Sequence, residues 1–496
     1  MTKPQLKIGL EIHTQLQTIS KLFSNSLNPT SNLSIIPNST TSFFDNSLPG
    51  TQPKLNNQCI LNAIKLAISL NCKISSISSF DRKHYFYGDQ PLGYQITQHF
   101  NPIAKNGFIK LLKKYNPKLS NDLIINIQQL QLEQDTGRSI YHSINSNISN
   151  IDFNRSNIPL IEMVTLPNFS NIEEIRIFLQ YYIKLIQDLN ICTGDLETGA
   201  LRVDVNINVI GHKRVEIKNL PTISSILNAI KFEEKRQINE LNSGYSLLSN
   251  SIETRGWNGK STYHLRNKES NIDYRYVPDM ELPKIKLDLN NLIPKINSIL
   301  PVSINDKIDN LMNNYKISLR DSKILINNEK LLKFYLNSWS LINDIKIKEK
   351  LINWLVHELL GSLTKSEIEF NENLISPKSF TNLIIEIENG NITKNNGKLI
   401  LLHLINNKID QSKPILELAK EFGMIANNSI NDINNNDSLD NIINNILIKN
   451  DKIVKEIKEN GKIKKINFLI GQCMRQTNGN VQPKIFEDRI KVLLNI

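Results

Sequence analysis

Cysteine is scarce in this chain of 496 residues: four, at positions 59, 72, 192 and 473, with no CxxC pair and no Cys/His knuckle. That pattern excludes a zinc knuckle and a disulfide framework and fits a reducing compartment. Long apolar runs are also missing. The densest, Leu399 to Ile405, falls well short of the ~18 residues that a membrane span needs, so no membrane span is expected. The opening MTKPQLKIGLEIH has neither a secretory apolar region nor an Arg/Ser-rich amphipathic presequence, so composition alone places the chain in the cytosol. No period of 20 to 50 residues recurs, which excludes a repeat solenoid. Acidic residues are outnumbered, 48 against 59 basic, for a net charge of +11. A basic chain of this size points to a polyanionic partner, nucleic acid first, because neutralising phosphates releases counterions. The competing reading is a drift of composition towards Lys, Ile and Asn.

What is present is globular: 40% hydrophobic and 22% charged residues, in a chain long enough for about three domains. Residues 1 to about 285 mix period-2 segments with a few helices and predict an α+β domain. From about 290 to 348 the pattern is helical, as in Ile304 to Lys316 and Leu331 to Ile345. From 349 to 496, helices alternate with Asn/Gly linkers such as NGNITKNNGK. A helix over 171–190 is predicted with a capping box from Ser170 to Glu173 and an apolar stripe from Ile175 to Leu189. Its stripe is core and should pack on a sheet.

Four strands carry carboxylates on one face. In LKIGLEIHTQL, Leu6, Ile8, Leu10 and Ile12 alternate with Lys7, Gly9, Glu11 and His13, so Glu11 and His13 share the polar side. ALRVDVNINV sets Arg202, Asp204, Asn206 and Asn208 against an apolar row, and RVEIKNL sets Arg214, Glu216 and Lys218 against Val215 and Ile217. In QQLQLEQ, Glu133 follows Gln129 and Gln131 on the polar side. An antiparallel sheet with one wet face would show the same alternation. The residue types favour more: Glu, His, Asp and Glu, where a solvated face tends to carry Lys, Thr and Ser. If these strands are neighbours, four carboxylates and an imidazole converge and repel one another unless a cation sits among them. Hard oxygen ligands with one imidazole suit Mg²⁺ or Mn²⁺ better than zinc.

The segments GLEIHTQL, FDRKHYFYGDQPLGYQITQ, LEQDTGRS, DFNRSNIPLIEMVTLP, DLETGALRVDVNI, VEIKNL and DYRYVPD, in this order, and the terminal NFLIGQCMRQTNGNVQPKIFEDRIKVLL, together resemble the GatB family, the B subunits of glutamyl-tRNA(Gln) amidotransferases. The resemblance covers nearly the whole chain. It implies an α+β fold: an antiparallel-sheet, synthetase-like cradle domain over 1–288, a small helical domain over 289–348 and an all-α YqeY-like tail over 349–496. It implies a carbon–nitrogen ligase that activates the side chain of glutamate mischarged on tRNA(Gln), with ATP and Mg²⁺ as cofactors, and amidates it. Ammonia would come from an amidase-type A subunit, a glutaminase, and a third small subunit, C-type or the fungal F-type, would complete the assembly. Carried over by position, the metal ligands fall on Glu11, His13, Glu133, Asp204 and Glu216. Lys218 and Arg202 would contact phosphate or, equally, quiet the acid cluster through salt bridges. Arg82 and Lys83, with Tyr85 and Tyr87, suit a phosphate, adenine or acceptor-end contact, or else a Tyr-packed structural loop. Arg475 and Lys484 would touch tRNA.

Departures from the family pattern are specific. Bacterial members carry two acids where this chain has Glu133 and Gln134. Gly88 and Gln90 replace commoner Pro and Leu and should loosen their loop, and Asn478 and Asn480 stand where lysines are usual. GDQPLGYQITQ, DLETGALRVDV and PLIEMVTLP are closer to fungal mitochondrial members, which implies the mitochondrial matrix, with a bacterial cytoplasm as the alternative. No amidase nucleophile stretch and no HIGH or KMSKS signal is present, so a partner must supply ammonia. Two other functions stay open on sequence alone: a non-catalytic tRNA-binding and assembly subunit of the same complex, and a free-standing ligase for a small acid.

Overall fold

The computed structural model describes the chain except residues 1–4, 30–35, 142–147, 245–251, 269–273, 427–432, 461–464, 478–480, 482 and 495–496. Asn478 and Asn480 therefore lie outside the described residues. The chain divides into two compact units, Met1–Val302 and Ser303–Ile496.

The first unit is built on a nine-stranded sheet. Its strands include β1 (Leu6–Gln15), β4 (Ala104–Leu111), β5 (Leu123–Gln134), β6 (Pro159–Thr165), β7 (Leu201–Val209), β8 (Val215–Lys218), β9 (Ile252–Trp257) and β10 (Thr262–Lys268). Across the sheet the order is β10-β9-β8-β7-β1-β6-β5-β4, with the two-residue strand Lys73–Ile74 beyond β4. All pairs are antiparallel except β8 with β9. β1 lies near the centre, so its period-2 alternation is converted into a fully buried row, Ile8, Leu10 and Ile12, and a row of half-buried polar groups.

Helices pack against the sheet's apolar rows, α1 (Asn57–Ser69) among them, lying on β4 and β5. Helix α2 (Ile172–Asp188) sits under β1, where the Tyr182 and Thr14 hydroxyls meet at 2.8 Å. Its N-cap is Asn171 rather than Ser170, because the Asn171 carboxamide accepts from the amides of Glu173 and Glu174. Glu174, not Glu173, reaches back to the Ser170 amide at 2.7 Å. The box is thus shifted by one residue, and the helix is capped at Leu189 and followed by Asn190, which takes a left-handed φ of 53°. Helix α3 (Ile223–Asn242) ties down the far edge. Its buried Glu233 accepts from Arg236, from Gln237 at 3.0 Å and from the Thr262 hydroxyl of β10 at 2.9 Å.

A three-stranded sheet, Val277–Pro278 with β2 (Asp81–His84) and β3 (Tyr94–Thr97), lies against β5. The Gln95 side chain of β3 donates to the Gln134 carbonyl at 2.8 Å, and the Thr97 hydroxyl reaches Glu133 at 3.2 Å. This packing brings Lys83 of β2 to the polar face, within electrostatic reach of Glu133 and Glu162. The loop between β2 and β3 is tied rather than loosened at one of its substituted positions: Gln90 is buried and its carboxamide donates to the Tyr94 carbonyl.

The second unit is helical. Helices Ile304–Asn314 and Leu319–Asn327 start on the hydroxyls of Ser303 and Ser318. The last helices, among them Ile466–Gln476 and Pro483–Leu494, close a core around Ile443, Leu469, Phe486 and Ile490. Among the described residues no helix is long and apolar enough to cross a membrane.

Candidate active site on the polar face of the large sheet

Register decides which carboxylates meet. Across β1 and β7, Glu11 faces Asp204 and His13 faces Arg202. On the other side of β1, His13 faces Glu162 of β6, and Glu162 faces Gln131 of β5. Asn206 of β7 faces Glu216 of β8, which pairs with Thr254 of β9. The five acid-face residues expected from the sequence do share one surface, but they divide into two groups. One is His13, Glu133 and Glu162; the other is Glu11, Asp204 and Glu216. Within each, one ligand-capable atom per residue lies within 4.8 Å of the others. The five thus do not gather around one point but fall into two neighbouring groups, because Glu11 and His13 are two residues apart along β1, about 7 Å.

The groups differ in their electrostatics. In the first, the imidazole Nε2 of His13 is 3.3 Å from Glu133 and 4.0 Å from Glu162. Burial works against a charged imidazole, but the hydrogen bond to Glu133 and the two carboxylates outweigh it and raise His13 to about 9. Burial likewise disfavours the Glu133 anion, yet His13 and Lys83 bring it down to about 2. Glu162 bears the cost of the crowding: burial and the Glu133 charge raise it to about 7. The Gln131 carboxamide donates to Glu162 at 2.5 Å and holds it in place. In this form a proton on His13 plays the part that a cation can play.

In the second group the neutralising charge is Lys218, whose ammonium lies 2.5 Å from Asp204 and 3.1 Å from Glu216. Those two carboxylates raise the Lys218 pKa against the opposing effect of burial. Glu11 accepts from the Asn206 carboxamide at 2.9 Å, and Glu216 from the Thr254 hydroxyl at 3.0 Å. Lys218 is therefore the salt bridge that quiets the acids. A cation entering here would have to displace it, which frees an ammonium for an anionic ligand.

The remaining predicted residues go to different places. Lys83 sits over the Tyr274 ring at 4.7 Å. Burial would lower its pKa, but Glu133, Tyr276 and Glu162 raise it, so it belongs to the first group's surroundings. Arg82 does not join: it pairs with Asp279 at 2.8 Å and Glu281 at 3.3 Å and lies over the Tyr94 ring. Neighbours on a strand point to opposite faces, so Arg82 and Lys83 could not both reach the acids. Arg202 pairs with Asp135 at 2.6 Å. Gln134 is buried, and its carboxamide donates to the Tyr94 carbonyl at 3.4 Å. Arg475 and Lys484 are both exposed in the second unit, where Lys484 and Lys394 line a cleft of about 530 Å³.

Glu162 was missed. In PLIEMVT its neighbours on the polar side are Leu160 and Val164, so the alternation that marks the other strands is absent. The only available signal was a lone carboxylate in an otherwise apolar strand.

Two clefts border the acids. One, about 550 Å³, is lined by His13, Arg202, Asp204, Lys218 and Pro221. The other, about 920 Å³, is lined by Lys83, Tyr85, Phe86, Tyr87, Tyr274 and Arg275. Phe86 and Tyr87 are 84% and 62% exposed, an arrangement that leaves aromatic faces open for stacking.

Known proteins share these sequence features over the whole length. Residues 6–292 match the family model described as the GatB/GatE catalytic domain, and residues 340–494 match one described as a GatB domain. The chain is 43% identical over 494 residues to the mitochondrial glutamyl-tRNA(Gln) amidotransferase B subunit of Komagataella phaffii, with 99% of each chain covered. It is 46% identical to the protein of that name from Zygosaccharomyces rouxii, covering 99% of this chain and 95% of the relative. For that of Scheffersomyces stipitis the identity is 42%, covering 99% and 96%.

Proposed function

Since the chain belongs to the GatB family, we propose that it is the mitochondrial B subunit of a glutamyl-tRNA(Gln) amidotransferase, acting in the matrix to turn Glu-tRNA(Gln) into Gln-tRNA(Gln). The observation that carries the chemistry is the pair of acid groups side by side on β1. A carboxylate is a poor acyl donor, so the glutamyl side chain is first phosphorylated by ATP and then attacked by ammonia. Glutamine-derived ammonia comes from an amidase-type A subunit, and a third small subunit completes the complex.

The donor sets fit Mg²⁺: hard oxygens, one imidazole, and mutual repulsion now relieved by the His13 proton and the Lys218 ammonium. When bound, Mg²⁺ neutralises the transferring phosphoryl group. His13, Glu133 and Glu162 would hold one ion, and Glu11, Asp204 and Glu216 another. Lys218, released from Asp204, is placed to meet a phosphate oxygen, and Lys83 and Arg202 bring positive charge from either side. The 920 Å³ cleft, with its open aromatic faces beside Lys83, suits the unstacked bases of an acceptor end, since base–aromatic stacking tolerates sequence.

Reconstitution with the companion subunits and mischarged tRNA tests the function directly. ATP- and Mg²⁺-dependent amide formation is expected, and Asp204→Asn should slow it severely; an Asp204→Asn complex with wild-type phosphorylation and transfer rates would place the chemistry elsewhere and leave this chain a tRNA-holding subunit. The aromatic cleft has its own test. The double change Phe86→Ala and Tyr87→Ala should raise KM for the mischarged tRNA by about 10-fold or more, at the ~1–3 kcal/mol per stacked base typical of such contacts. KM for ATP should not move. A rise in KM for ATP instead would assign the cleft to adenine.

A further inference from the structure

One carboxylate next to the acid groups belongs to neither of them. Asp135, buried at the end of β5, receives two guanidinium groups: Arg202 at 2.6 Å and Arg155 at 3.6 Å. Its other oxygen accepts from the Thr136 amide at 2.9 Å. Its backbone is clamped as well, by hydrogen bonds with Asn157 and Ile158.

The two arginines are used differently. Arg155 spends its donors on protein oxygens, giving hydrogen bonds to the Thr136 carbonyl at 2.9 Å and the Gly137 carbonyl at 2.7 Å. Arg202 makes one hydrogen bond among the described residues, from a single terminal nitrogen to Asp135. Its remaining N–H groups belong to a half-exposed side chain that lines the 550 Å³ cleft with His13, Asp204 and Lys218. Arg202 also stands between the acid groups, opposite His13 across the ladder and two residues from Asp204 on its own strand. A guanidinium is a planar fork whose use depends on its orientation, and one carboxylate contact fixes that orientation while leaving the other donors free.

We infer that Asp135 is a positioning residue, which aims the Arg202 guanidinium at the phosphoryl group handled between the two acid groups. The inference rests on the reading of this face as the site of glutamate activation. Asp135 touches no substrate in this role; it acts through Arg202.

The test uses the reconstituted complex and mischarged tRNA. Asp135→Asn keeps the shape and one hydrogen bond but removes the charge that holds Arg202. It should lower kcat by about 10- to 100-fold, the range for loss of positioning, with KM for the tRNA within about 3-fold. Arg202→Lys should do at least as much, and the double variant should be no slower than Arg202→Lys alone, because both changes remove one device. Multiplicative losses in the double variant would overturn the inference, as would wild-type kcat in Asp135→Asn beside a slow Arg202→Lys. The same loss in Arg155→Met would shift the effect to the Thr136–Gly137 loop and also overturn it. Full activity in both Arg202→Lys and Arg202→Ala would instead sink the reading of this face. If Asp135→Asn does not accumulate folded, Asp135→Glu, which displaces the carboxylate by one methylene, must show the same split between kcat and KM.

Discussion

Replacing Glu133 by glutamine should lower ATP-dependent phosphorylation of the glutamyl side chain by about 10²- to 10³-fold, the size expected when one charged group that stabilises a phosphoryl transition state is removed. The substitution is nearly isosteric, so its effect is one of charge. Glu133 is 4% exposed and is contacted by His13 at 3.3 Å and Thr97 at 3.2 Å. It also lies within the electrostatic reach of Lys83. With a neutral carboxamide there, the first group keeps one carboxylate, Glu162, in place of two. A divalent cation then loses a ligand and faces the charge of Lys83 with less to offset it. Single-turnover phosphorylation in the reconstituted complex, followed over a Mg²⁺ titration, should show both the lower rate and a higher Mg²⁺ requirement. tRNA retention on the complex should be unchanged, since Glu133 is buried. A rate within about threefold of wild type at ordinary Mg²⁺ would remove the first acid group from the mechanism.

Glu133 also shows what strand alternation could and could not reveal. Period 2 alone placed Glu11, His13, Asp204, Glu216 and Glu133 on polar faces, because each of their strands has one buried apolar row. Alternation carries no strand order, and the order β8-β7-β1-β6-β5 is what divides the five between two sites. It joins His13 to Glu162 on one side of β1 and Glu11 to Asp204 on the other. Glu162 itself was hidden because its neighbours on the polar side are the buried Leu160 and the half-buried Val164, so β6 shows no polar row. The fate of Arg82 was hidden for another reason: its partners Asp279 and Glu281 are nearly 200 residues away along the chain. Local features read better. The shift of the α2 cap from Ser170 to Asn171 is a one-residue error in a correctly placed helix, of the kind expected where Ser, Asn and Glu compete for the same amides.

The largest expected effect on stability comes from a pair that the site does not use. Lys21 and Asp45 are each fully buried at the side chain and lie 3.2 Å apart. Asp45 also accepts from Ser26 at 2.5 Å, the Ser42 amide at 2.8 Å, Asn157 at 2.8 Å and Ser24 at 3.2 Å. It thus joins three loop segments. Asn157 sits in the left-handed region, with φ of 63°, where asparagine is better tolerated than most residues. Its amide donates to the Asp135 carbonyl at 3.0 Å, so the hub reaches the backbone that presents Asp135 and, through it, Arg202. Removing one member of a buried pair leaves an uncompensated charge, which typically costs about 3–5 kcal/mol. Lys21→Met keeps the volume of the stem, so the loss should come from the stranded Asp45 carboxylate. Adding Asp45→Asn to Lys21→Met removes that charge and should recover part of the loss, a coupling that two independent sites would not show. Urea denaturation followed by circular dichroism reads both variants against wild type. A Lys21→Met shift below about 1 kcal/mol, the ordinary size of a surface pair, would mean that water reaches the hub. Activity should then stay at the wild-type level, because Asn157 would still hold Asp135; a folded Lys21→Met protein with normal stability but lowered kcat would contradict that chain of contacts.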